Sequence, residues 1–381
     1  MIPYGRQEIT DADIAAVVDV LRSDFLTQGP QVPAFEAALC AATGARHGVA
    51  VNSATSALHI ACLALDLGPG DLLWTSPNTF VASANVGHLC GADVDFVDID
   101  PETFNMCPKA LAAKLDTAKA VGRLPKIVMP VHMCGQSCDM AAIGALAQKY
   151  GFRVIEDASH AIGGRFGAQP VGACAYSDIC VFSFHPVKIV TTAEGGAAMT
   201  NDPRLAARME RLRSHGVTRD PALMRGAPDG AWYYQQIELG LNYRMTELQA
   251  ALGVAQMTRL TVFLALRNRL AARYDALLAD LPVVLPQRAR NVYSSFHLYV
   301  IRVVPERRRA VFDHMRAAGI GVNVHYIPVH TQPYWQSHGF APGDFPNAET
   351  YYAAAISIPL YAGLSDADQD IVVAELTKAL A

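Results

Sequence analysis

The sequence predicts an α/β fold: a mainly parallel seven-stranded sheet covered by helices, with a smaller α+β C-terminal domain. Three observations lead there. Short apolar runs alternate with helical patterns from residue 47 onward, the mark of strands joined by crossover helices. Apolar residues make up 51% and charged residues 17%, against a usual charged share of about 25%. That balance excludes a disordered chain and leaves apolar surface for burial in an oligomer. The length of 381 residues accommodates two domains at roughly 100–200 residues each.

The elements follow in order. Asp11–Ser23 reads as a helix with Ile14, Val17, Val18 and Leu21 on one face and Asp11 as N-cap. Asp24–Pro30 ends in Gly29-Pro30 and reads as a turn. Strands are expected at His47–Val51, Asp71–Thr75, Val94–Ile99, Lys126–Val131, Phe152–Glu156, Asp178–Phe184 and Gly196–Thr200. Helices are expected at Ala54–Leu65, Thr79–Leu89, Pro108–Ala118 and Met140–Tyr150. Two long helices follow, Met245–Met257 and Leu260–Leu278. The remainder reads as a strand, Leu298–Val304, and helices at Glu306–Ala318, Ala348–Ala355 and Asp366–Leu380. These place a large domain over residues 1–260 and a small one over 261–381.

Composition narrows the function. The net charge is −4, and the longest basic cluster is Arg307-Arg308-Arg309. A nucleic-acid-binding protein would carry a basic face. No stretch approaches the ~18 apolar residues of a membrane span, and the start lacks the apolar core of a signal peptide. The eight cysteines are scattered, mostly within apolar runs. The expectation is a cytoplasmic protein with reduced thiols. His132-x-Cys134-x3-Cys138 lacks a second ligand pair at zinc-site spacing, so no metal is expected.

Ligands of a parallel α/β sheet bind beyond the carboxyl ends of its strands. After the first strand comes Asn52-Ser53-Ala54-Thr55-Ser56-Ala57-Leu58, small residues opening a helix. Such a helix start holds an anion, although an ordinary N-cap by Ser53 or Thr55 is the commoner meaning. No Gly-x-Gly-x-x-Gly follows, so the dinucleotide fingerprint is missing. Asp157 ends another strand; it is either a helix cap or a buried charge in need of a partner. Lys188 follows a wholly apolar strand, in Ser183-Phe184-His185-Pro186-Val187-Lys188, with Glu194-Gly195-Gly196 behind it. A lysine there is either a surface cation or a desolvated amine suited to Schiff-base chemistry. Taken together, a phosphate site, an aspartate for a pyridinium nitrogen and a lysine for an aldehyde match pyridoxal 5′-phosphate. Phe80 is placed to cover one face of its ring.

These segments, with Thr79–Asn85, Glu156–Ala161 and Gly240–Met245, resemble the DegT/StrS family of PLP-dependent nucleotide-sugar aminotransferases over residues 3–375. The resemblance implies PLP-dependent transferase fold type I, the aspartate-aminotransferase-like fold, with residues 1–30 as an N-terminal arm packing near the small domain. It implies that Lys188, Asp157 and His160 are catalytic. Ala54, Thr55, Phe80 and Ser183 would join them around the cofactor, as would Asn242 from a partner subunit, which makes a homodimer with a composite site. Tyr4, Asp24, Phe25, Leu26, Thr27, Ala54, Ser183, Arg244, Ile327, Pro328, Val329 and His330 would contact a nucleotide sugar. Ile2–Gln7, Ser23–Pro30, Pro186–Lys188 with Thr191–Glu194, and Val324–His330 resemble the branch acting on UDP-4-keto-6-deoxy-HexNAc in pseudaminic acid synthesis, with L-glutamate as donor. The alternative is a D-configured UDP-4-keto-sugar of the bacillosamine type. Pro186 stands where many relatives have alanine. The dehydratases of the family replace the lysine with histidine, which Lys188 argues against. A non-catalytic regulator on the same fold would need a binding element that the sequence does not show.

Overall fold

The computed structural model describes residues 1–381. Its central sheet uses seven strands: β1 His47–Val51, β2 Leu72–Thr75, β3 Asp93–Phe96, β4 Ile127–Met129, β5 Arg153–Asp157, β6 Ile179–Ser183 and β7 Gly196–Thr200. The spatial order is β1-β7-β6-β5-β4-β2-β3. Neighbours from β6 to β3 pair in parallel, and β7 runs antiparallel to both β6 and β1. Every residue of β4, β6 and β7 is buried. A sheet covered on both faces needs such unbroken apolar runs, which is why Ile179-Cys180-Val181-Phe182 shows no alternation.

After the helices α1, Asp11–Leu21, and α2, Gln31–Thr43, helix α3, Ala54–Ala64, is buried almost all round because it packs over the sheet beside the helix Ala82–Leu89. One core gathers Val49, Leu58, Ile60, Leu73, Phe96, Ile155 and Val181 on that face. A second gathers Phe35, Leu39, Phe182, Phe184 and Val190 on the other. Phe35 and Leu39 belong to a helix, Gln31–Thr43, that the sequence reading passed over.

The first helix spans Asp11–Leu21 and differs from expectation in two ways. Its N-cap is Thr10, whose N–H and hydroxyl both donate to Asp13 Oδ2 at 2.7 and 2.9 Å. Its buried positions are Asp13 and Val20, while Ile14 and Leu21 are exposed. The helix turns Asp13 inward because Arg259 binds that carboxylate.

The C-terminal segment carries an antiparallel pair, Tyr299–Arg302 with Ala355–Ile358. The second strand starts at Ala355, the last residue of the expected helix Ala348–Ala355, and the sequence reading named no strand there. Helices Pro305–Ala317 and Asp366–Leu380 pack with them around a third core. The long helix Leu260–Leu277 serves two cores: Phe263 and Leu264 face the sheet, and Leu270 and Tyr274 face the C-terminal unit. The expected boundary near residue 260 falls at the start of this helix. The N-terminal residues join the C-terminal unit: Gly321 N–H donates to Ile2 O at 2.6 Å and Leu360 N–H to Tyr4 O at 3.0 Å. No single helix is long and apolar enough to cross a membrane.

Candidate active site

Asp157 is the last residue of β5 and is fixed from four sides. Its N–H donates to Pro130 O at 2.9 Å, and its carbonyl accepts from His132 N–H at 3.0 Å. Its carboxylate accepts from Ser83 Oγ at 2.6 Å and from Ser159 N–H at 3.1 Å. The residue is 5% exposed. The preceding Glu156 points to the other face and accepts from His132 Nε2 at 2.7 Å. His132 Nδ1 accepts from Cys138 N–H at 3.1 Å, so both ring nitrogens are engaged within the chain.

Lys188 lies in the turn after β6. Lys188 N–H donates to His185 O, and Thr192 N–H reaches back to Phe184 O, both at 2.9 Å. Its amine makes no ion pair, and burial lowers its pKa from 10.5 to about 8, with Asp157 pulling the other way. At pH 7 such an amine is neutral in about a tenth of molecules, against well under a hundredth at the ordinary value. The neutral form attacks an aldehyde. Loading of the cofactor-free protein with pyridoxal phosphate should therefore speed up as pH rises through about 8 and then level off. Stopped-flow absorbance between pH 6.5 and 10 reads this as an order-of-magnitude trend; a midpoint near the ordinary lysine value would contradict it.

Above Asp157, His160 Nε2 shares a hydrogen bond with the Tyr326 hydroxyl at 3.1 Å. The two rings stack 6.0 Å apart, and Tyr326 also sits 6.1 Å from Phe80, itself 59% exposed. His297 lies 4.5 Å from His160. Burial holds His160 and His297 well below the usual histidine range, and His325 at about 4, with the Lys188 charge adding to each effect. All three rings are neutral at pH 7. His160 Nδ1, Ser76 Oγ and Asn78 Nδ2 are buried without any partner. Buried polar groups are normally satisfied, so three orphans at the strand ends mark a place where a polar ligand belongs.

The phosphate end is built from α3. Ser53 caps it by accepting from Ser56 N–H at 3.1 Å, so the ordinary N-cap reading of the sequence is realised. The N–H groups of the first turn have no intrahelical acceptor, and Thr55 is exposed. Ser183 ends β6 opposite Gly196. A Cβ on Gly196 would meet Ala54 N at 2.5 Å, so only glycine lets β7 approach the helix start. Asn242 stands beside this end: Asn52 N–H donates to Tyr243 O at 2.9 Å, and Val51 bridges Arg244. The Asn242 side chain is exposed and makes no hydrogen bond within the chain.

The expected sugar-contacting residues divide. Tyr4 is half-buried, its ring 5.4 Å from His325. Asp24, Phe25, Leu26 and Thr27 are all exposed, in a loop held by Glu247: its N–H donates to Leu26 O at 3.0 Å and its carboxylate accepts from Gln31 N–H at 2.6 Å. Arg244 has no ion-pair partner in the chain. Ile327 is 46% exposed, whereas Pro328, Val329 and His330 are buried. Val329 belongs to the core, and His330 Nε2 is held by Glu349 at 2.9 Å, so neither side chain presents to a surface ligand. Sequence reasoning did not single out Ser83, Asn78, His297, His325 or Tyr326. Ser83 lies in the Thr79–Asn85 motif, and His325 and Tyr326 lie in the Val324–His330 motif. His297 had no signal at all.

A desolvated lysine, a clamped buried aspartate, orphaned polar atoms and a helix start whose Ala54 and Thr55 N–H groups lie outside the Ser53 cap fit pyridoxal phosphate. They define a PLP-dependent enzyme of fold type I. Residues 7–377 match the DegT/DnrJ/EryC1/StrS aminotransferase family, and the chain belongs to it. The spore coat polysaccharide biosynthesis protein SpsC of Bacillus subtilis is 39% identical over 379 residues, 98% of this chain and 95% of SpsC. Among solved structures, a Streptococcus pneumoniae protein assigned as a sugar aminotransferase, in its PMP form, superposes with a TM-score of 0.91 at 30% identity, covering 100% of this chain and 99% of that one. Helicobacter pylori PseC, an aminotransferase of pseudaminic acid biosynthesis, gives 0.90 at 30% identity with the same coverage. The protein is a PLP-dependent aminotransferase.

Proposed function

We propose that this protein moves the amino group of L-glutamate to C4 of a UDP-4-keto-6-deoxy-HexNAc, in the cytoplasm. The sugar we favour is UDP-2-acetamido-2,6-dideoxy-β-L-arabino-hex-4-ulose. The products would be UDP-4-amino-4,6-dideoxy-N-acetyl-β-L-altrosamine and 2-oxoglutarate, the chemistry of pseudaminic acid synthesis. The observation that carries the reading is the half-buried amine of Lys188, its pKa lowered by burial to about 8, in the turn after β6 and next to β5, which ends in the clamped carboxylate of Asp157. The exposed 24–27 loop, the unpaired Arg244 and exposed Ile327 support a large polar substrate entering over that pair. Likeness to PseC supports the L-configured sugar; likeness to other sugar aminotransferases keeps the D-configured substrate as the second reading.

When bound, pyridoxal phosphate supplies an electron sink and carries the amino group between two half-reactions. The residues around it do the rest. The first turn of α3 and Ser183, with Asn242 of the partner subunit, would hold the phosphate by N–H and hydroxyl donors and by the helix dipole. Asp157 would hold the ring nitrogen in its protonated state. Phe80 and Tyr326 would shield the ring from water, and His160 would lie near the ring and its phenolic oxygen. Lys188 Nζ takes a proton from the carbon of the amino donor and returns one to C4 of the sugar.

We also infer a homodimer. Trp232 and Leu239 are 70% and 83% exposed, in a segment leading to Asn242, and Ile14, Leu21, Phe25 and Leu26 add exposed apolar area. So much bare apolar surface marks an interface. Two half-reactions on one cofactor give a direct test. With glutamate alone, the holoprotein should release about one equivalent of 2-oxoglutarate per chain and stop. Continued release without a keto acceptor, or none at all, would contradict the transaminase reading.

A further inference from the structure

Ser83 is fully buried in the first turn of the helix Ala82–Leu89. Its hydroxyl lies 2.6 Å from Asp157 Oδ2 and 2.8 Å from Thr79 Oγ1. The carboxylate can only accept, so Ser83 donates its one proton there; Phe80 O, at 3.3 Å, is the poorer acceptor. Thr79 must then donate to Ser83. The chain of protons runs one way: Thr79 to Ser83 to Asp157.

We propose that Ser83, oriented by Thr79, is a positioning residue that fixes the Asp157 carboxylate for the cofactor's ring nitrogen. This rests on the assignment of Asp157 to that nitrogen. A buried carboxylate has lost its water and needs a hydrogen-bond donor in its place. Of the side chains, Ser83 alone supplies that donor; the other bond to the carboxylate comes from the Ser159 backbone. A hydrogen bond to a charged group is among the strong ones. The short distance also fixes the rotation of the carboxylate, leaving Oδ1 with one free lone-pair direction besides Ser159. The helix start that carries Ser83 adds its positive end to the same charge.

The test is a double-mutant cycle on the holoprotein. Ser83→Ala should slow the glutamate half-reaction about 10- to 100-fold and shift the absorbance of the bound cofactor, while the cofactor stays bound as in Asp157→Asn. Ser83→Thr, which keeps the hydroxyl, should restore both. Combined with Asp157→Asn, Ser83→Ala should add nothing, because the group it acts through is gone. Full-rate turnover and an unshifted spectrum in Ser83→Ala, or additive losses in the double variant, would overturn the proposal. An unchanged Asp157→Asn would instead remove the Asp157 assignment itself. If Ser83→Ala does not fold, Thr79→Val reads the same link; an unshifted spectrum there overturns it.

Discussion

Lys188→Ala abolishes sugar amination and leaves the fold intact. Its amine carries the proton in both half-reactions, and losing a general acid–base alone costs about 10²–10⁴ in rate. The residue sits half-buried in the turn after β6 and belongs to no hydrophobic core, so circular dichroism and the melting temperature should stay near wild type. Borohydride should fix pyridoxal phosphate to the wild-type peptide containing Lys188 and not to the variant, read as added mass after digestion. The same variant tests the composite site. Asn242 is exposed and unbonded, beside Asn52 of its own chain. If it serves a partner's phosphate, mixing Lys188→Ala chains with impaired Asn242→Ala chains restores one complete site per heterodimer. Tagged co-purification confirms exchange. Active heterodimers support the shared site; confirmed heterodimers without activity place Asn242 in its own chain's site.

Asp157→Asn keeps the cofactor and transaminates poorly. Asparagine still offers a hydrogen bond to the ring nitrogen but cannot stabilise a positive charge on it. An opposite charge in contact supports a pKa by about 1–3 units, each worth ~1.4 kcal/mol. The glutamate half-reaction should fall by about 10- to 1,000-fold. Single-turnover absorbance measures it, and an unchanged rate removes Asp157 from this role.

Much of this was legible in the sequence because a doubly covered sheet writes its strands as apolar runs. Two of these runs, one ending in Asp157 and one leading to Lys188, also pointed to the proposed site. Other features depend on contacts far along the chain. The direction of β7 follows from its pairing with β1 and β6, which composition does not encode. The helix Gln31–Thr43 opens with Pro33 in its first turn and takes its N-terminal cap from Glu247, 216 residues away. The Ile14–Leu21 face looked like a core face, yet Ile14 and Leu21 are exposed and Val17 and Val18 only half-buried, because the Asp13–Arg259 pair sets the roll of that helix. Val329 and His330 carry a substrate-like motif, yet the core and Glu349 take them. His297 reaches His160 only through the docking of the C-terminal unit.

One measurement tests the central claim directly. The holoprotein is given L-glutamate with synthetic UDP-4-keto-6-deoxy-HexNAc in its L-arabino and D-xylo forms, and the products are read by NMR. The account predicts a new amine at C4 of the L-configured sugar, with one 2-oxoglutarate formed per amine. Amination of the D-form alone would move the protein to the second reading. No C4 amine from either sugar, in holoprotein that completes the glutamate half-reaction, would contradict the account.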